Sequence, residues 1–99
     1  MTSYQVVYWR GIPARVKVRA SGVRAARALS ERFQQAIDEA AMRAGMGGSQ
    51  EHLDLWRTSE AQERQGEPQA VAESLIAELE AAYPPERLQR LVANGGREG

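Results

Sequence analysis

The side chains of this sequence with chemistry to offer are cations and aromatic rings. Arg15, Lys17 and Arg19 alternate with Val16 and Val18, so an extended backbone would set the three charges on one face about 7 Å apart. Tyr4 and Tyr8 lie just upstream, in a segment dense in β-branched and aromatic residues. Arginine beside tyrosine on a sheet meets nucleic acid by phosphate pairing and base stacking, and the same pair anchors protein interfaces. An ordinary solvated strand also has this composition, because arginine stems cover rings while their heads stay in water.

Other chemistries lack their residues. The chain has no cysteine, which excludes a disulfide framework, a thiolate metal site and a thiol nucleophile. Its single histidine, His52, has Glu51 and Asp54 nearby. Helix neighbours one and two positions apart do not face each other, so His52 reads as a surface side chain near Trp56. Glu73, Glu78 and Glu80 read as a solvated helix face. No spacing of histidine and carboxylate gathers metal ligands. Gly45 to Gly48 follow a helix and precede no lysine, whereas a phosphate cradle runs from strand through glycines into helix. The expectation is a chain with no catalytic residue, no metal and no cofactor.

Positioning the cations falls to a hairpin. Tyr4 to Arg10 is apolar on both faces and suits a central strand, and Ala14 to Ala20 alternates strictly, as a half-exposed strand does. Gly11-Ile12-Pro13 is a short turn between them, which predicts an antiparallel pair. Two registers are open. A two-residue loop at Gly11-Ile12 sets Trp9, Val7 and Gln5 with Ala14, Val16 and Val18 on the core face, and Tyr8, Val6 and Tyr4 with Arg15, Lys17 and Arg19 on the outer one. A loop one residue longer sets Val6 and Tyr8 beside the valines and leaves Trp9 with the cations.

Residues 22–29 fit an added helical turn or an extended segment equally. From Ser30, an N-cap candidate, Phe33, Ala36, Ile37, Ala40, Ala41 and Ala44 recur at helical spacing up to a C-cap at Gly45. After the Met46-Gly47-Gly48 link, Ser49 to Arg57 predicts a short helix whose Trp56 closes one end of the core. Residues 59–65, polar throughout, suit an exposed loop or a third, weak edge strand. Glu67-Pro68 opens a second long helix with Val71, Leu75, Ile76, Leu79 and Ala82 as its stripe, Pro84-Pro85 stops it, and a last short helix carries Leu88, Leu91 and Val92.

The chain of 99 residues is one domain's length, taken as 1–94 with 95–99 as a disordered tail. Its 13 basic residues balance 13 acidic ones, but unevenly: residues 1–45 hold eight cations against three carboxylates, +5, and the rest hold five against ten, −5. Pairing between a basic sheet and acidic helices is the plain explanation for that asymmetry. No segment approaches the roughly 20 apolar residues of a membrane span, and the start lacks a leader pattern, so a bacterial cytoplasmic protein is expected.

Two motifs together, Tyr8-Trp9-Arg10-x-Ile12-Pro13-Ala14-x-Val16 and Arg32-Phe33-x-x-Ala36-Ile37-Asp38-x-Ala40-Ala41-Met42-Arg43-x-Gly45, resemble the small bacterial virulence factor domain, which is also similar to a segment of the conserved virulence factor C proteins. The resemblance covers about residues 4–83, and Trp56 sits where the family's later tryptophan is expected. It supplies no reaction, catalytic residue or cofactor. In longer relatives such a domain accompanies a scaffold for iron–sulfur clusters, a role not expected of this chain, which has no cysteine. The resemblance also implies a place as accessory subunit to folate or corrinoid one-carbon enzymes. Within the motifs, Arg10, Arg32, Asp38 and Arg43 lack an apolar reason to be there. Asp38 paired with Arg43 or Arg10 at the hairpin end is expected to be structural, or to anchor an anion with Arg32.

The expected architecture is α+β: an N-terminal antiparallel hairpin, with or without a third strand near 59–65, packed against two longer and two short helices. The expected function is a non-enzymatic module that binds a partner protein through Tyr8, Arg10, Arg15, Lys17 and Arg19. The alternative is nucleic-acid binding by the same face. The sequence leaves the partner's identity and the oligomeric state open.

Overall fold

A computed structural model describes residues 1–45 and 55–97. His52, the Met46-Gly47-Gly48 link and most of the helix expected over 49–57 lie outside the described residues. The elements run β1 (Thr2–Trp9), β2 (Ile12–Ala20), β3 (Val23–Ala28), α1 (Glu31–Arg43), β4 (Trp56–Thr58), β5 (Gln62–Arg64), α2 (Pro68–Ala82) and α3 (Pro85–Ala93). All strand pairs are antiparallel, in the order β3-β2-β1-β4, with β5 on β1 as well. β4 takes the Val7–Trp9 end of β1, and β5 its Thr2–Tyr4 end. The fold is α+β, as the switch from two-residue to helical periodicity predicts.

The hairpin forms, but its turn sits one residue earlier than Gly11-Ile12. Trp9 pairs with Ile12, so Arg10 and Gly11 make the loop, and Arg10 takes the left-handed conformation at φ 51°. The pairing slips between Val7 and Tyr8, where Pro13 and then Arg15 face successive β1 residues and Ala14 is the extra one. This bulge satisfies two demands that one regular register cannot meet together. Trp9 and Ile12 are fully buried with Leu29, Phe33, Ile37 and Leu91, while beyond the bulge Val6 faces Val16 and Tyr4 faces Val18. Burying an indole is worth about 4–6 kcal/mol of transfer free energy, enough to dictate the local geometry.

A second turn, Ser21-Gly22 at φ 49° and 82°, has both central residues left-handed, the conformation whose twist suits a two-residue hairpin. It carries the chain into β3, which settles residues 23–28 as a strand. Val-Arg-Ala-Ala-Arg-Ala has little strand preference of its own; six register pairs with β2 impose the conformation.

The core has two clusters. Val6, Val16 and Val18 pack with Val71, Ala72 and Leu75 of α2; Trp9 and Ile12 pack with α1 and α3. Ile76 and Leu79 touch both and join them. α1 begins after Ser30 as expected, but the Ser30 hydroxyl donates to the Glu80 carboxylate rather than capping its own helix. Trp56 lies against the Trp9 cluster as expected of it, yet from a strand: it stands opposite Trp9 in β4, and Trp56–Thr58 is not helical. The edge strand expected near 59–65 is β5.

Gly95 and Gly96 are buried, the Gly11 N–H donates to the Gly96 carbonyl at 2.7 Å, and Arg10 Nη1 donates to the Gly95 carbonyl at 2.7 Å. Gly96, at φ +93°, lies so close to Trp9 that a Cβ there would be 2.6 Å from Cζ3. Only glycine lets the backbone cover the indole at this distance.

Candidate functional site: the basic face of the sheet

Cross-strand partners share a face, so the register assigns every side chain of the sheet. Arg15, Lys17 and Arg19 face Val7, Gln5 and Ser3 on one side and Ala28, Ala26 and Arg24 on the other. All three cations and Arg24 are exposed. Val6, Val16 and Val18, one step out of phase, enter the α2 cluster instead. The strict alternation read from β2 therefore holds: valines in, cations out.

The tyrosines do not join those cations, which corrects the register set out first. Tyr4 and Tyr8 belong to the valine face and pack against its cluster, as the longer-loop alternative would have it. Each lies against a guanidinium of the adjoining strands β4 and β5 on that same face: Arg57 is 4.7 Å from the Tyr8 ring and Arg64 is 5.3 Å from the Tyr4 ring. Arg10 is likewise drawn inward. Half-buried at the turn, it lies 5.3 Å over Trp9, and its own carbonyl accepts from Arg57 Nε. Burial, with Arg97 nearby, lowers the pKa of its guanidinium from the ordinary value.

The second group also separates. Arg32 reaches α2, where it donates to the Tyr83 carbonyl at 2.6 Å, the Glu80 carbonyl at 3.0 Å and the Glu80 carboxylate at 2.9 Å, with its charge 4.5 Å from the Phe33 ring. Glu80 accepts from the Ser30 N–H and hydroxyl as well. Burial alone would raise its pKa, but the Ser30 donors and the Arg32 charge outweigh it and hold the carboxyl below the usual range. Asp38 is exposed and accepts from Gln34; among the described residues it pairs with neither Arg43 nor Arg10. Arg32 is a strut between helices, and Arg43 an exposed cation in the last turn of α1.

The charge asymmetry of the two halves resolves in space. The carboxylates of α2 are not simply solvated: Glu73 meets Arg27 at 3.8 Å, Glu78 meets Arg64 at 2.7 Å and Glu80 meets Arg32. The Arg64 hydrogen bond lowers the Glu78 pKa against the desolvation that opposes it. All these pairs use cations outside the β2 stripe. Among the described residues Arg15, Lys17, Arg19 and Arg24 take part in no ion pair, and Arg19 stands directly opposite Arg24 in the ladder. Like charges at such a position cost about 0.2–1 kcal/mol.

Between these side chains runs an open groove of about 510 Å³, lined by Ser3, Gln5, Lys17, Arg19, Arg24 and Ala26 among others. Arg24 is the residue that sequence reasoning misses, because residues 22–29 fit helix and strand equally. The Ser-Gly pair between two segments of strand length was the available signal. The groove offers donors and positive charge, and among the described residues no histidine or carboxylate lines it beside Ser3. Among the described residues no group of three histidines or carboxylates could hold a metal, and no helix is long and apolar enough to cross a membrane.

Among curated proteins and among solved structures, no match to this chain is found. The family comparison does find one: the model described as Virulence factor matches residues 7–92, from the last residues of β1 through β2, α1 and the helices that bury Trp9, and the chain belongs to that family.

Proposed function

We propose that this protein is a non-enzymatic interaction module of the virulence factor type, and that its basic sheet face receives an acidic surface of a partner protein. One observation carries the reading: Arg15, Lys17, Arg19 and Arg24 share an exposed face without ion pairs, with Arg19 set against Arg24, while α2 pairs its carboxylates with other arginines. A like-charge pair that costs stability is explained if an anionic partner occupies the groove it borders. Tyr4 and Tyr8 pack against the valine cluster and are each covered by an arginine, Arg64 and Arg57, which favours protein over nucleic acid, since a single-strand platform needs open ring faces beside its charges.

The test is isolation of the tagged chain with its partner from its own cells, followed by reconstitution of the purified pair. The combined reversal Arg15→Glu, Arg19→Glu and Arg24→Glu is expected to abolish the complex, and Met42→Glu, exposed on α1, to leave it intact. A complex that survives the triple reversal overturns the assignment. Titration with single-stranded RNA and DNA at about 50 mM salt separates the alternative, because phosphate contacts give binding that falls steeply as salt rises.

A further inference from the structure

The basic face ends at an open strand edge. β3 pairs with β2 on one side and with no described strand on the other. In an antiparallel ladder, residues alternate between those whose backbone groups bond inward and those whose groups point outward. The two-residue turn closes on the hydrogen-bonded pair Ala20 and Val23, so Arg24, Ala26 and Ala28 turn their N–H and C=O away from β2. Among the described residues, none of these six groups has a partner beyond β2. The same three residues lie on the basic face, in line with Arg19, Lys17 and Arg15.

We infer that an extended acidic segment of a partner protein adds to this edge as a further antiparallel or parallel strand, its backbone bonding Arg24, Ala26 and Ala28 and its alternate carboxylates lying beside Arg24 and Lys17. The inference deepens the reading of the basic face and rests on it. Side chains along the edge are mostly small: Ala25, Ala26 and Ala28 leave the backbone approachable, and Val23, Arg24 and Arg27 rise above it. Arg27 is committed to Glu73 below the sheet, which leaves Arg24 to meet the incoming strand. Charge selects the occupant. Two copies of this chain pairing β3 against β3 would bring two basic faces, each with Arg19 and Arg24, side by side, and charged edges resist such self-association. A strand bearing glutamate or aspartate at every second position reverses that sign and neutralises the Arg19 and Arg24 pair.

The experiment uses the full chain and three synthetic octapeptides: alternating Glu and Val, alternating Lys and Val, and the acidic peptide N-methylated at alternate amides on its docking edge. Binding is read by fluorescence anisotropy, and amide protection by NMR hydrogen exchange. The acidic peptide is expected to bind, to slow exchange at Arg24, Ala26 and Ala28, and to outcompete the lysine peptide; N-methylation should weaken binding roughly tenfold or more through lost backbone hydrogen bonds. Ala26→Pro removes an outward N–H while leaving the β2 ladder, as edge strands tolerate, and should weaken binding comparably. Should that variant fold poorly, the methylated peptide still tests the idea on the unaltered protein.

Acidic-peptide binding that is lost in Arg24→Glu yet indifferent to N-methylation overturns strand addition and leaves the basic face standing. Equal binding of the lysine peptide overturns the acidic occupant. A dimer of the free chain that dissociates in Ala26→Pro assigns the edge to a second copy and overturns the proposal as well.

Discussion

Replacing Gly96 by alanine should cost about 3 kcal/mol, although only three residues follow it in the sequence. Two contributions build that figure. The backbone at φ +93° is one that side-chain-bearing residues adopt at a cost of about 1–2 kcal/mol. The added methyl would stand 2.6 Å from Trp9 Cζ3 and 3.1 Å from Cε3, and the ring, fully buried among α1 and α3, has nowhere to retreat. Overpacking of this kind costs about 1–3 kcal/mol. Gly22→Ala is the control, with φ +82° but nothing within 4 Å of its new Cβ, so it carries the conformational cost alone. At about 4–8 °C per kcal/mol for a domain of this size, thermal unfolding followed by circular dichroism should show Gly96→Ala about 12–24 °C below wild type and Gly22→Ala about 4–16 °C below. If both variants melt together, the contact between Gly96 and Trp9 does not secure the hairpin end and the argument fails.

Arg24→Glu should raise stability by about 0.2–1 kcal/mol by ending its opposition to Arg19 while it weakens partner binding. The gain should shrink in urea melts at about 0.5 M salt, and a destabilised variant would contradict the reading. Arg32→Lys should cost about 1–2 kcal/mol, because one ammonium does not replace a planar fork that serves two carbonyls and the Glu80 carboxylate; a near-neutral effect in the same melts would count against the strut. Glu80 has its folded pKa held below the usual carboxylate range, so its contribution is complete above that range and is lost as pH falls through the depressed value. The stability gap between wild type and Glu80→Gln should therefore be flat near neutrality and narrow in acid; a gap that widened in acid would reverse the assigned sign.

Much of this architecture was legible because its signals are local. The alternation of Arg15 to Arg19 with Val16 and Val18 needs only the two-residue period of a strand, and α1 and α2 announce themselves by the 3.6-residue recurrence of Phe33 to Ala41 and Val71 to Leu79. β3 was not legible, since its alanines and arginines prefer helix and only the ladder to β2 makes them extended. Trp56 misled for a similar reason: it lies a helical turn from Leu53, but its pairing with Trp9, 47 residues away, makes it a strand residue.

Composition and periodicity by themselves determined that the chain is α+β, that it lacks thiol chemistry, and that β2 turns cations outward. Tertiary packing alone decided which arginines stay available, because a charge is neutralised by whatever lies beside it in space. Arg27, Arg32 and Arg64 find their carboxylates across 46, 48 and 14 residues of chain, and Arg15, Lys17, Arg19 and Arg24 find none among the described residues. It also decided the Ala14 bulge and the burial of Gly95 and Gly96, since a fully buried Trp9 needs contacts from both ends of the chain at once.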